Sequence, residues 1–123
     1  MDLNPKGFNA RTHEFEFARH VVESQARLAV LPMAWLSTLG EDAIKKNPGN
    51  VDLDTLIYWV RRLEPVMDQE HAEETVVVTC NRVGVERGSV FAGSSVILAF
   101  KDGGVRVIAK AGAGTEELLV AEI

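Results

Sequence analysis

Apolar residues recur along this chain in two rhythms, one that suits helices and one that suits strands. Phe15, Ala18, Val22 and Ala26 fall at the i, i+3, i+7, i+11 spacing of one buried helix face. Thr12 stands where an N-cap belongs, and Glu14 and Glu16 sit in the first turn, where the helix dipole favours acids. Leu28 to Leu31 is a short apolar run closed by Pro32, which predicts a buried strand. Met33 to Val51 is polar and broken by Pro48-Gly49, and reads as a long surface loop. From an Asp52 N-cap, Leu53, Leu56, Ile57, Val60 and Leu63 form a second helical stripe, and Pro65 ends or kinks it.

Thr75 to Thr79 is an unbroken β-branched run and predicts a strand buried on both faces. Glycines then punctuate three further strand-like runs, Ser95 to Phe100, Val105 to Ala109 and Glu117 to Ala121. Their short separations predict antiparallel hairpins, with Asp102-Gly103 as the clearest turn. Met1 to Arg11, with Asn4-Pro5 and Gly7, reads as a loop. Helix, strand, helix, strand and a β-meander together predict an α/β fold with a mixed sheet and antiparallel C-terminal strands.

Composition removes several function classes. The net charge of −5 over 123 residues leaves no basic stripe to track phosphates, so no nucleic-acid partner is expected. No apolar run approaches the ~20 residues that span a bilayer, and the polar, acidic N-terminus lacks the form of a signal peptide. The single cysteine excludes an internal disulfide and suits a reducing, cytoplasmic or nuclear setting. Cys80 ends the β-branched run with no histidine beside it, and reads as a buried packing thiol. His13 and His20 share a helix face but have no third ligand at matching spacing, so no metal is expected. Strands follow the glycines where a phosphate loop would have a helix.

One constellation carries chemistry. Asn81, Gly84, Glu86, Phe91, Gly93 and Ser95 match Asn-x-x-Gly-x-Glu followed by Phe-x-Gly-x-Ser. Asp2 followed by Asn4-Pro5 adds a second match near the start. On these residues the chain resembles the carbon–nitrogen hydrolase (nitrilase) superfamily. MDLNP, LPMAWL (Leu31 to Leu36), the helix Thr55 to Pro65 and CNRVG (Cys80 to Gly84) look most like its protein N-terminal asparagine amidohydrolases.

The resemblance implies the C-terminal half of an α-β-β-α sandwich, with residues 1–123 as a partial domain that begins just after the nucleophilic cysteine. The family uses a Cys nucleophile, a Glu base and a Lys, and needs no cofactor. All three would precede Met1, whose backbone N–H would fall at the oxyanion position. The implied substrate is a protein or peptide N-terminus bearing Asn or Gln, whose deamidation marks the protein for degradation. Asp2 would organise the nucleophile loop or pair with the substrate's α-ammonium. Trp35, beyond the end of a strand, would wall the pocket or simply pack, while Trp59 would serve the core or a subunit contact. Glu86 and Arg82 would brace the loop leaving the strand. A homo-oligomer, or pairing with a full-length subunit, is the implied assembly. The alternative function is a non-catalytic interaction module. For the chain alone, an exposed strand edge and an apolar face are expected.

Overall fold

The computed structural model describes residues 15–70 and 73–123. Met1, Asp2, Thr12, His13, the opening loop and His71 lie outside the described residues, but the first helix starts at Glu16 with Phe15 at its N-cap position, so Thr12 does not cap it. The elements run α1 (Glu16–Glu23), β1 (Leu28–Met33), α2 (Glu41–Lys46), α3 (Leu53–Arg62), α4 (Glu64–Met67), β2 (Thr75–Asn81), β3 (Val85–Glu86), β4 (Ser89–Val90), β5 (Val96–Lys101) and β6 (Gly104–Lys110).

Four strands form one mixed sheet in the order β1-β2-β5-β6. β1 runs parallel to β2, with Ala29 opposite Val77, while β2–β5 and β5–β6 are antiparallel. Among the described residues, helices cover one face only. Ala29 and Leu31 of β1, Val77 of β2, and Val96, Leu98 and Phe100 of β5 pack there against Ala18, Val21, Trp59, Leu63 and Val66. The β2 run buries Thr75, Val76, Val77 and Thr79, but not both faces throughout, since Val78 is only half-buried on the side away from the helices. The β5–β6 hairpin turns at Asp102 (φ 51°) and Gly103 (φ 75°), the paired positive φ values that a two-residue type I′ turn demands.

Several expectations fail, each for a local reason. β1 alternates instead of burying both faces, since it is an edge strand whose outer face has no helix over it. Leu28 and Val30 are 53% and 54% exposed. The same edge position lets Pro32 stay inside the strand. The stretch from Met33 to Val51 contains α2, which buries Ile44. Its Pro48-Gly49 turn is also fastened to the C-terminal segment by Ala113 N–H to Asn50 O (2.7 Å) and Gly114 N–H to Pro48 O (3.0 Å). Gly112 must lack a side chain there, because a Cβ would collide with Pro48 O and Gly49.

The buried face of α3 is rotated by about one position from the apolar stripe. Thr55, Trp59 and Arg62 point inward with Leu63, while Leu53 and Ile57 face outward. The aliphatic part of Arg62 supports this rotation, and its guanidinium lies 4.9 Å from the Phe15 ring centre. Pro65 does not end the helical region. It occupies the first turn of α4, where a missing N–H costs nothing.

Glu117 to Ala121 forms no strand. After the fastened turn at 112–114 it runs unpaired beside the outer face of the sheet, where residues 117–119 border a cleft, and Leu118 and Val120 stay more than 80% exposed. A small β3–β4 ribbon, turning at Arg87-Gly88, lies where only glycine punctuation was legible.

Candidate functional site

The motif residues gather where the ends of β1 and β2 meet the start of β5. Asn81, the last residue of β2, reaches across to the segment after β1. Its Oδ1 accepts the Trp35 N–H at 2.7 Å, and its Nδ2 donates to Trp35 O at 3.2 Å and Gly93 O at 3.0 Å. Its own N–H is held by Ser95 Oγ at 2.9 Å. Trp35 O takes a further bond from Ala92 N–H at 2.9 Å, and Leu36 and Phe91 form an isolated bridge just beyond. Ligand crevices in α/β sheets open beyond the carboxyl ends of strands, which is where Trp35 stands.

A second set of bonds fixes the floor. Asp52 is 1% exposed and caps α3 by accepting from Thr55 N–H at 3.3 Å. Its other carboxylate oxygen accepts from Ser37 Oγ at 2.6 Å, and its backbone N–H donates to Ser94 Oγ at 2.7 Å. Ser94 Oγ donates in turn to Ala92 O at 2.8 Å. Ser94 adopts φ 56° and Gly93 φ 50°. A left-handed serine costs about 1 kcal/mol or more and persists only where its surroundings demand it. Gly93 could not be alanine without pressing on Ala113 O, 2.5 Å from the added Cβ.

Asp52→Ala is expected to remove the cap and leave the Ser37 hydroxyl without its acceptor. The cost should be about 1–3 kcal/mol, read as a lower urea midpoint with unchanged slope. An unchanged midpoint would contradict the burial described here.

The ring of Trp35 is half-buried and stands against Tyr58 (centroids 5.6 Å apart) and edge-on to Trp59 (6.2 Å, 83°). Trp59 is fully buried, which makes it core. Among the described residues its indole N–H has no hydrogen-bond partner. Glu86 is exposed on β3 and pairs with Arg82 at 2.6 Å, and Arg82 also lies 4.6 Å from the Phe91 ring centre. Glu86 thus makes its contact with Arg82, and none with Trp35 is found among the described residues.

Cys80 is exposed, contrary to the expectation of a buried thiol. It lies opposite Pro32 on the sheet face that no helix covers, because it alternates with Thr79 and Asn81, which face the other way. There it lines a cleft of about 370 Å³ together with Val78, Ile97 and Leu118. A larger cleft of about 650 Å³ lies among Asp68, Gln69, Glu70 and Asp102 and contains none of the motif residues. We assign the candidate site to the segment that Asn81 holds at Trp35 on its bonding alone, since neither of these clefts is lined by Trp35.

On α2, the Glu41 carboxylate raises the Lys45 pKa above its usual 10.5, first by hydrogen bonding and then by charge. The sign is that of a cation gaining a partner: the contact is intact through neutral pH and is lost as pH rises through that raised value.

The mixed sheet, with helices over one face and a loop pinned at its strand ends, defines an amidase-like α/β fold. More particularly, it is the fold of N-terminal amidase. A Cys→Ser variant of an N-terminal amidase superposes with TM-score 0.76 at 17% identity, over 93% of this chain and 56% of that one. N-terminal amidase with an Asn-Glu peptide gives 0.76 at 18% identity over the same shares, and with an Asn-Glu-Ala peptide 0.75 at 17%, over 93% and 55%. The chain spans little more than half the length of those proteins. No protein-family model matches, and no curated protein does. Among the described residues, no helix is long and apolar enough to cross a membrane.

Proposed function

We propose that residues 1–123 are the C-terminal portion of an amidohydrolase domain that, when complete, deamidates N-terminal Asn (or Gln) of proteins and so feeds an N-degron pathway in the cytoplasm or nucleus. The observation that carries this reading is the fold match over 93% of the chain, to structures that include peptide-bound N-terminal amidase. The motif residues support it, since Asn81, Gly93 and Ser95 join the bonding that fixes the crevice wall at Trp35.

In this reading the chain supplies a pocket wall and half of the sandwich, while the nucleophile, base and lysine come from outside it. Trp35 faces the substrate peptide. Asp2 organises the nucleophile loop, and the Met1 N–H completes the oxyanion hole. Glu86 acts only by bracing the loop through Arg82. No cofactor enters the chemistry.

An NMR titration of the 123-residue chain tests the wall. An Asn-Glu-Ala peptide should shift the Trp35 indole resonance and those of Ser94 and Ser95, and its N-acetylated form should do so less. No shift, or equal shifts from both peptides, would overturn the reading.

The uncovered sheet face favours a second reading: a non-catalytic module that binds another copy or a full-length subunit. Leu28 and Val30 are exposed there, beside half-buried Val78 and Ile97.

A further inference from the structure

We propose that Asn81 is a positioning residue that acts through the main chain of Trp35, so that the orientation of the pocket wall depends on one carboxamide. This rests on the reading of Trp35 as a wall of the peptide site. The link between Asn81 and Trp35 can be tested separately.

The geometry is specific. Trp35 N–H can only donate and Trp35 O can only accept, so the 2.7 Å and 3.2 Å contacts fix which end of the Asn81 amide is oxygen. The second Nδ2 hydrogen goes to Gly93 O at 3.0 Å. One planar group therefore holds both polar atoms of Trp35 and ties them to the left-handed pair Gly93-Ser94. Asn81 is itself anchored by its N–H to Ser95 Oγ and by its place opposite Met33 in the β1–β2 register. Trp35 lies in neither strand nor helix, and apart from the Asn81 contacts its main chain is tied by Ala92 N–H to its carbonyl. Asn81 thus sets the angle at which the Trp35 ring meets Tyr58 and Trp59.

The test uses the full chain carrying Trp59→Phe, which leaves Trp35 as the sole tryptophan. Acrylamide quenching of its emission is compared for Asn81, Asn81→Ala and Asn81→Asp across pH. With Asn81, quenching should be low and flat. Asn81→Ala should raise it severalfold at every pH. Asn81→Asp should be protected while its acid is neutral, since that form keeps an acceptor for Trp35 N–H and one donor for a carbonyl. Protection should be lost as the carboxyl ionises opposite two carbonyl oxygens, with a midpoint above the usual value of about 4. Arg82, the nearest cation in sequence, is engaged by Glu86 and would move that midpoint only downward.

A flat Asn81→Asp profile in folded protein, or Asn81→Ala quenching equal to the parent, overturns the proposal. Loss of the far-UV signal by Asn81→Asp where its acid is neutral also overturns it. If Trp59→Phe does not fold, the same comparison runs in the native background, where fully buried Trp59 adds a constant shielded signal. An Asn-Glu-Ala peptide is then added to each variant. Quenching that follows the expected pattern, with no peptide response in any variant, leaves the positioning role standing and sinks only the pocket reading.

Discussion

The 123-residue chain should release no ammonia above the buffer blank from an Asn-initiated peptide, and Cys80→Ala should change nothing. Amide hydrolysis by this chemistry needs a thiolate, a base to form it and donors for the oxyanion. Cys80 is the only thiol in the sequence, and it stands on the uncovered sheet face opposite Pro32. The side chain of Asn81, its neighbour, points to the other side and holds the main chain of Trp35. Alternation along β2 therefore points the Cys80 thiol and the Asn81 carboxamide to opposite sheet faces, although both residues border the outer cleft. Enzymes gain 10⁶-fold or more over the uncatalysed reaction, and a wall without reacting groups should supply none of it. Ammonia is read by a coupled assay over hours. Release that disappears in Cys80→Ala would move the chemistry to the outer cleft and overturn this view.

The second large effect is on assembly. At micromolar concentration the chain should sediment as a dimer or larger species, and the pair Leu28→Lys with Val30→Lys should weaken association by at least about 100-fold. Both side chains already face water on β1, so the fold should keep its stability. They lie on the same face as half-buried Val78 and Ile97. Covering a fully exposed Leu or Val is worth roughly 1.5–3 kcal/mol; Leu28 and Val30 are 53% and 54% exposed, so losing two amounts to about 1.5–3 kcal/mol per copy and twice that in a symmetric pair, against 1.4 kcal/mol per tenfold in affinity. Among the described residues β1 is also an unpaired edge, which invites pairing with another strand. A monodisperse monomer at high micromolar concentration would show that this face needs no cover.

Local chemistry made some of the fold readable in advance. The β-branched run at Thr75 to Thr79, the Asp102-Gly103 turn and the Asp52 cap each carry their own cause within a few residues. The failures share a different origin. Leu53 and Ile57 look like a buried stripe, but the rotation of α3 follows from Asp52 being held by Ser94, 42 residues away. Glu117 to Ala121 has strand-forming residues, yet the fastening of Gly112 to Gly114 against the Pro48 turn takes it out of register with any strand.

The site divides in the same way. Motif spacing singled out Asn81, Gly93 and Ser95, and the position after a strand singled out Trp35. That Asn81 grips Trp35, and that Ser94, Asp52 and Ser37 form the floor, depends on contacts between distant segments. The left-handed Ser94 is the one feature that a glycine-containing motif could have hinted at, through its neighbour Gly93.

Sequencing the transcript across the Met1 codon tests most directly whether this chain is the wall-bearing portion of an amidase. An in-frame cysteine codon immediately before Met1, with lysine and glutamate motifs further upstream, is the expected result. A stop codon or any other residue at that position would contradict it.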